Sequence, residues 1–151
     1  LDKFEAIARE DLPAVIRKLI SQWFLQVGSA HIHLILDKKE FIPGEKVTGY
    51  FSLEGGWFEQ NIKRLECDLV VVDKQEHTEQ LIEGAVTRLM SKSIDSNESD
   101  QIPFTFCLPA KLAPLSGNRS YQFHTRIVFS NGTESSDHDE IKILKTESQI
   151  K

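Results

Sequence analysis

LILDKKEFIPGEKVTGYFSLEGG, residues 34 to 56, reads as a strand, a corner, a second strand and a break. Leu34 and Leu36, then Val47, Gly49, Phe51 and Leu53, alternate with other residues on either side of Pro43-Gly44. Alternation with a period of two is the mark of neighbouring half-buried antiparallel strands, with one face in a core and the other wet. Proline fixes one backbone angle and glycine permits the unusual one beside it, so the corner is specified twice. Phe41 and Ile42 supply an apolar anchor just before it.

The same order of strands continues outward. Asn61 to Val72 turns Leu65, Cys67, Leu69 and Val71 inward, and the extra apolar residues Val70 and Val72 suggest a strand covered on both sides, with the N-terminal helix as a cover. Residues 81 to 94 carry Leu81, Ile82, Ala85, Val86, Leu89 and Met90 at helical spacing, but Val86, Thr87 and Leu89 also suit a strand, and strand is preferred. Gln101 to Leu108 and Tyr121 to Phe129 alternate plainly, and Glu140 to Lys145 closes the sheet. Residues 146 to 151 are a polar tail.

Before the sandwich, residues 2 to 26 space Phe4, Ile7, Leu12, Val15, Ile16, Leu19, Ile20, Trp23 and Phe24 three or four apart, an amphipathic helical period. Pro13 belongs in a first turn, with Asp11 as the cap, and Gly28 ends the pattern. The expected division is 1–27 helical, 28–146 β-sandwich and 147–151 tail.

Leu36-Asp37-Lys38, Phe41-Ile42-Pro43-Gly44-Glu45 and Val47-x-Gly49 together resemble the opening hairpin of arrestin-like β-sandwich domains. Gly55-Gly56 with Glu59-Gln60-x-Ile62, and Ile102-Pro103-Phe104-x-Phe106-x-Leu108-Pro109, narrow the resemblance to the bacterial sporulation-control family. It runs from about residue 27 to about residue 145. It implies an all-β, arrestin-like antiparallel sandwich of about seven strands, here preceded by the amphipathic helix. It also implies a broad acidic loop at Ser135 to Asp139 before the last strand, so Asn131-Gly132 is not read as a tight two-residue hairpin. Members usually carry two such domains, of which this chain matches the first. The implied role is regulatory: a non-catalytic, cytoplasmic scaffold that acts on sporulation by binding protein.

Composition sets outer bounds. With 151 residues, 40% hydrophobic and 27% charged, the chain is one ordinary domain in size. A formal charge of -5 and no basic run argue against nucleic acid as a partner. Nothing approaches a membrane span, and the N-terminus lacks the pattern of a signal peptide. Cys67 falls on an apolar strand face and Cys107 on a polar one, so both read as free thiols of a reducing compartment. Three glycosylation triplets, at Asn97, Asn118 and Asn131, carry the opposite reading of a secreted module.

No nucleophile elbow, zinc-protease helix or dinucleotide fingerprint is present, and Gly44-Glu45-Lys46 lacks the spacing of a phosphate loop. No cofactor is expected. His31 and His33 share a strand face, and Asp137-His138-Asp139-Glu140 could supply oxygen ligands, but a wet strand and a hydrated loop explain both without metal. Glu66 and Asp68 share an open face that does not tune an acid.

The residues best placed to bind a partner are Trp57 and Phe58, just past Gly55-Gly56, and Trp23 and Phe24 on the helix. The helix could also pair with its own copy. Its acidic and basic residues balance over 2 to 18, so a membrane surface is less favoured than protein.

Overall fold

The computed structural model describes residues 13 to 146; the Asp11 cap, the earlier helical pattern and the 147–151 tail lie outside the described residues. Helix α1 is Ala14–Val27. Eight strands follow: β1 His31–Leu36, β2 Glu40–Phe41, β3 Lys46–Glu54, β4 Gln60–Asp73, β5 Thr78–Ile94, β6 Ser99–Cys107, β7 Arg119–Phe129 and β8 Glu134–Ile143. They form a three-stranded sheet in the order β1-β3-β6 and a five-stranded sheet in the order β2-β8-β7-β4-β5. Every pairing is antiparallel except the two-residue pairing of β2 with β8. The molecule is therefore the all-β sandwich that its alternation implies, of the arrestin-like kind that the family resemblance implies, and residues 81 to 94 are strand.

The corner motif accounts for itself residue by residue. Glu45 N–H donates to Ile42 O at 3.1 Å and Gly44 has φ 81°, the form of turn that takes proline second and glycine third. The Glu45 carboxylate turns back to accept from Ile42 N–H at 3.0 Å and pairs with Lys38, which holds its carboxyl below the usual range. Phe41 is buried, whereas Ile42 is exposed, so only the first of the expected anchors enters the core.

Phe51 and Phe104 from the small sheet and Phe123 from the large one meet edge to face, with centroids 5.2 and 5.5 Å apart. Phe106 adds a third edge contact to Phe123 at 6.0 Å. Ile32, Leu34 and Leu53 on one side and Leu65, Cys67, Leu69 and Ile127 on the other fill the space around them. Burial pushes the Cys67 thiol up to about 12, while Cys107 is exposed. A disulfide-exchange reagent at pH 8 is expected to modify one thiol per native chain rapidly, and the second only after denaturant is added.

The structure departs from the sequence reading in two places. Among the described residues helix α1 makes no extensive contact with either sheet and its described side chains are mostly exposed, so the expected cover over β4 is not seen there. Val70, flanked in register by Leu81 and Gln122, is buried without it. The expected acidic loop is strand: Ser135 to Asp139 lie within β8 and pair with β7. The turn before it is tight, with Gly132 N–H donating to Phe129 O at 3.0 Å and Phe129 N–H to Thr133 O at 2.9 Å.

Each sheet border is closed in its own way. In the small sheet, β6 carries Pro103, and β1 has its Leu34 N–H taken by Asp137 Oδ2 at 2.9 Å. In the large sheet, β2 is two residues long and β5 meets β4 with three register shifts, each placing the extra residue on β5. Proline, an inward carboxylate, shortness and bulges are the devices by which edges avoid pairing with other chains.

Candidate functional site

Ile16, Leu19, Ile20 and Trp23 line one groove along α1, and Val27 continues the row a turn further on. The spacing of three and four keeps these positions on one face of a 3.6-residue helix. In a domain of this kind such a stripe normally lies against the core; here Leu19 is 59% and Trp23 56% exposed. A 14-residue helix that leaves such a stripe in water is marginal, because most helical stability in proteins comes from covering the apolar face. The only charged residues of Ala14–Val27 are Arg17 and Lys18.

The foot of the helix is fixed to the sandwich. Gln60, buried at the start of β4, accepts from Ala30 N–H at 2.6 Å and donates to Ser29 Oγ at 3.2 Å. Trp57 N–H donates to Gly28 O at 2.9 Å, which sets the 55–58 loop against the end of α1. A side chain at Gly56 would place its Cβ 2.0 Å from Gly28 O, and one at Gly55 would lie 2.0 Å from Asp95 O. The double glycine is thus the seam where helix end, loop and the β5–β6 turn converge.

Of the residues singled out for binding, Trp23 lies on the exposed stripe and Trp57, 47% exposed, stands at its foot. Phe58 is half-buried in the same loop. The side chain of Phe24 lies outside the described residues.

The outer face of the large sheet holds a second, polar basin of about 440 Å3 that sequence reading did not assemble. Arg126 bridges Glu66 and, at 3.3 Å, Glu134, and these neighbours raise its affinity for its proton. His124 and His138 stack with centroids 3.9 Å apart and planes 6° from parallel. Burial, and then His138, holds His124 below its usual value; burial, and then Glu66, pushes Asp68 up. The parity of β7 and β8 would have placed these side chains together had Ser135 to Asp139 been read as strand.

That same parity divides the four residues once considered for a cation. Asp137 and Asp139 lie on the face of β8 that carries Ile141 and Ile143, while His138 and Glu140 lie on the opposite face, because neighbours on a strand point opposite ways. His31 and His33 are exposed on β1, and His33 Nδ1 is 3.8 Å from Asp137 Oδ1. Among the described residues no three His, Cys, Asp or Glu side chains converge on a point that could hold a metal.

Burial and a shared hydrogen bond with Asp137 push Asp139 up to about 7. A carboxyl whose folded pKa is raised contributes stability that is whole below its ordinary value near 3.8 and is lost as pH rises through 7. Replacing Asp139 by Asn is expected to raise stability at pH 8 by about 1 kcal/mol, discounted for partial exposure, and to leave it unchanged at pH 4. Urea unfolding at the two pH values checks this.

No helix among the described residues is long and apolar enough to cross a membrane. A family profile described as Spo0M: SpoOM protein matches residues 17–151. The sporulation-control protein spo0M of Bacillus subtilis (strain 168) is 31% identical over 120 residues, 76% of this chain and 46% of that protein. A crystal structure of the Bacillus subtilis sporulation control protein Spo0M matches with a TM-score of 0.65 and 28% identity, over 80% of this chain and 51% of that one. The chain thus spans about half the length of these relatives. A match over nearly the whole chain, together with the shared sandwich, means that the chain belongs to the Spo0M family.

Proposed function

We propose that the chain is a non-catalytic regulatory module of sporulation control, and that it acts by engaging a protein through the apolar stripe of α1 with Trp57 at its foot. The observation that carries this reading is an amphipathic helix whose Ile16, Leu19, Trp23 and Val27 are exposed to solvent instead of lying on a sheet. The closed sheet borders direct the choice. Strand addition, one of the usual modes of peptide recognition, is disfavoured by the bulges, proline and inward carboxylate at these edges, whereas a groove for a helix face is the mode that an i, i+3, i+4, i+7 row serves. The role in sporulation comes from the family, and the mode of action from the stripe.

The full chain and its Leu19→Asp/Trp23→Asp variant are to be compared in native-extract capture and in sedimentation. The variant is expected to lose at least about 100-fold in partner affinity, since each exposed aromatic or aliphatic anchor is worth about 2 kcal/mol or more. Its melting temperature should stay within a degree of the parent, because neither side chain enters the core. Equal capture by both proteins would overturn the reading.

A second reading places the same helix flat on an anionic membrane surface. Arg17 and Lys18, with no acidic residue in Ala14–Val27, favour it. Sedimentation with vesicles rich in anionic lipid, lost in the variant, selects this reading over the first.

A further inference from the structure

The two sheets lie next to each other along β1 and β8, where the small sheet ends. The contact there is polar. Asp137 Oδ2 accepts from Leu34 N–H, a backbone donor that no neighbouring strand takes, and Asp137 Oδ1 lies 3.8 Å from His33 Nδ1. Asp139 lies two residues on and on the same face, where Asp137 favours its neutral form, and among the described residues its buried Oδ2 has no donor. From the neighbouring elements, Lys39 attracts the negative charge of Asp139, and the buried Cys67 thiol faces both carboxyls from β4.

Two carboxyls on neighbouring same-face positions of a strand repel each other in a partly dry setting, and that repulsion, added to burial, favours the neutral form of Asp139. While Asp139 holds its proton it is neutral and its unpartnered oxygen costs little. When the proton leaves, the Asp139 oxygen becomes a buried charge with no donor, and only water can supply one. Water reaches it when β1 draws away from β8, and the contact that must give way is the one between Asp137 and Leu34.

We propose that Asp137 and Asp139 form a proton-operated clasp between the two sheets: protonated, the pair holds the β1 border shut against β8; deprotonated, it releases Leu34 N–H and loosens β1. The residue it holds, Leu34, lies on the strand that follows the helix foot, four residues beyond Ala30 and its bond to Gln60. The clasp therefore places a pH-dependent joint between the sandwich and α1. This inference rests on the β1–β8 contact and is independent of what the helix binds.

Amide hydrogen exchange on the full chain at pH 6 and pH 8, corrected for intrinsic rates, tests it. Leu34 is to be measured against the amides of the β3–β6 ladder, so that global opening cancels. Protection at Leu34 is expected to fall about tenfold between pH 6 and pH 8, the change that one pKa unit of differential interaction produces. In Asp139→Asn, which keeps the size and loses the ionisation, it should not fall. Unchanged Leu34 protection in the parent, or an equal fall in Asp139→Asn, would overturn the clasp. Should the variant fail to fold, a carboxyl carbon titration of the parent decides instead: a midpoint for Asp139 within a unit of 7 supports the clasp, and one near 4 overturns it.

Discussion

Phe104→Ala should cost about 4 kcal/mol of unfolding free energy, the upper part of the range for a large buried aromatic reduced to a methyl. Phe104 is 1% exposed and stands between Phe51 of its own sheet and Phe123 of the opposite sheet, so its ring is a central link between the two layers. Removing it leaves a void walled by aromatic edges held by strands on both sides, which limits collapse. Phe106→Ala provides the internal comparison, because Phe106 is half-buried and makes one edge contact to Phe123 at 6.0 Å. Its loss should be about half as large. Equilibrium denaturation of both variants at constant slope reads the difference; equal costs would mean that the ring at 104 does not join the layers.

Gly49→Ala is the second large effect, expected to cost about 3 kcal/mol. An added Cβ would stand 2.1 Å from Ile35 O and 3.0 Å from Leu36 Cα, both backbone atoms of the paired strand β1. No rotamer change can relieve that contact, so β1 must move off β3. The last residue of the P-G-E-x-V-x-G motif is therefore fixed by the close approach of two strands. Gly84→Ala tests the argument in the opposite direction, since the nearest atom to its added Cβ is Asp68 Oδ1 at 3.5 Å, an ordinary contact. There alanine should stabilise by about 0.5 kcal/mol through the unfolded chain. Thermal unfolding of the pair should show shifts of opposite sign.

Which parts of this molecule were legible in its sequence follows from how local each signal is. The Pro43-Gly44-Glu45 corner is written in turn chemistry confined to four residues, and β6 and β7 alternate without interruption, so both could be read directly. β5 was harder for a reason that its register explains. Bulges that include Ile82 and Ala85 break the period of two and leave Leu81, Ile82, Ala85, Val86 and Leu89 at spacings that imitate a helix. β8 was misread over Ser135 to Asp139 because serine and aspartate are poor strand formers; their places in the strand are held by register with β7 and, at Asp137, by a bond to β1. The exposed Trp23 and Trp57 were visible as candidate anchors. That the helix would stand away from both sheets was not visible, since an amphipathic stripe has the same spacing whether it faces its own core or another molecule.

The four guarded borders of the sheets have a consequence for how the protein behaves in company. Edges that discourage strand addition give copies of the sandwich little template for stacking, which disfavours fibres. Such a body can carry an oily rod in the open at cellular concentrations. If partners meet at the helix, as proposed above, assemblies would be set by how many helices meet, with the sandwich as the bulk that spaces them apart.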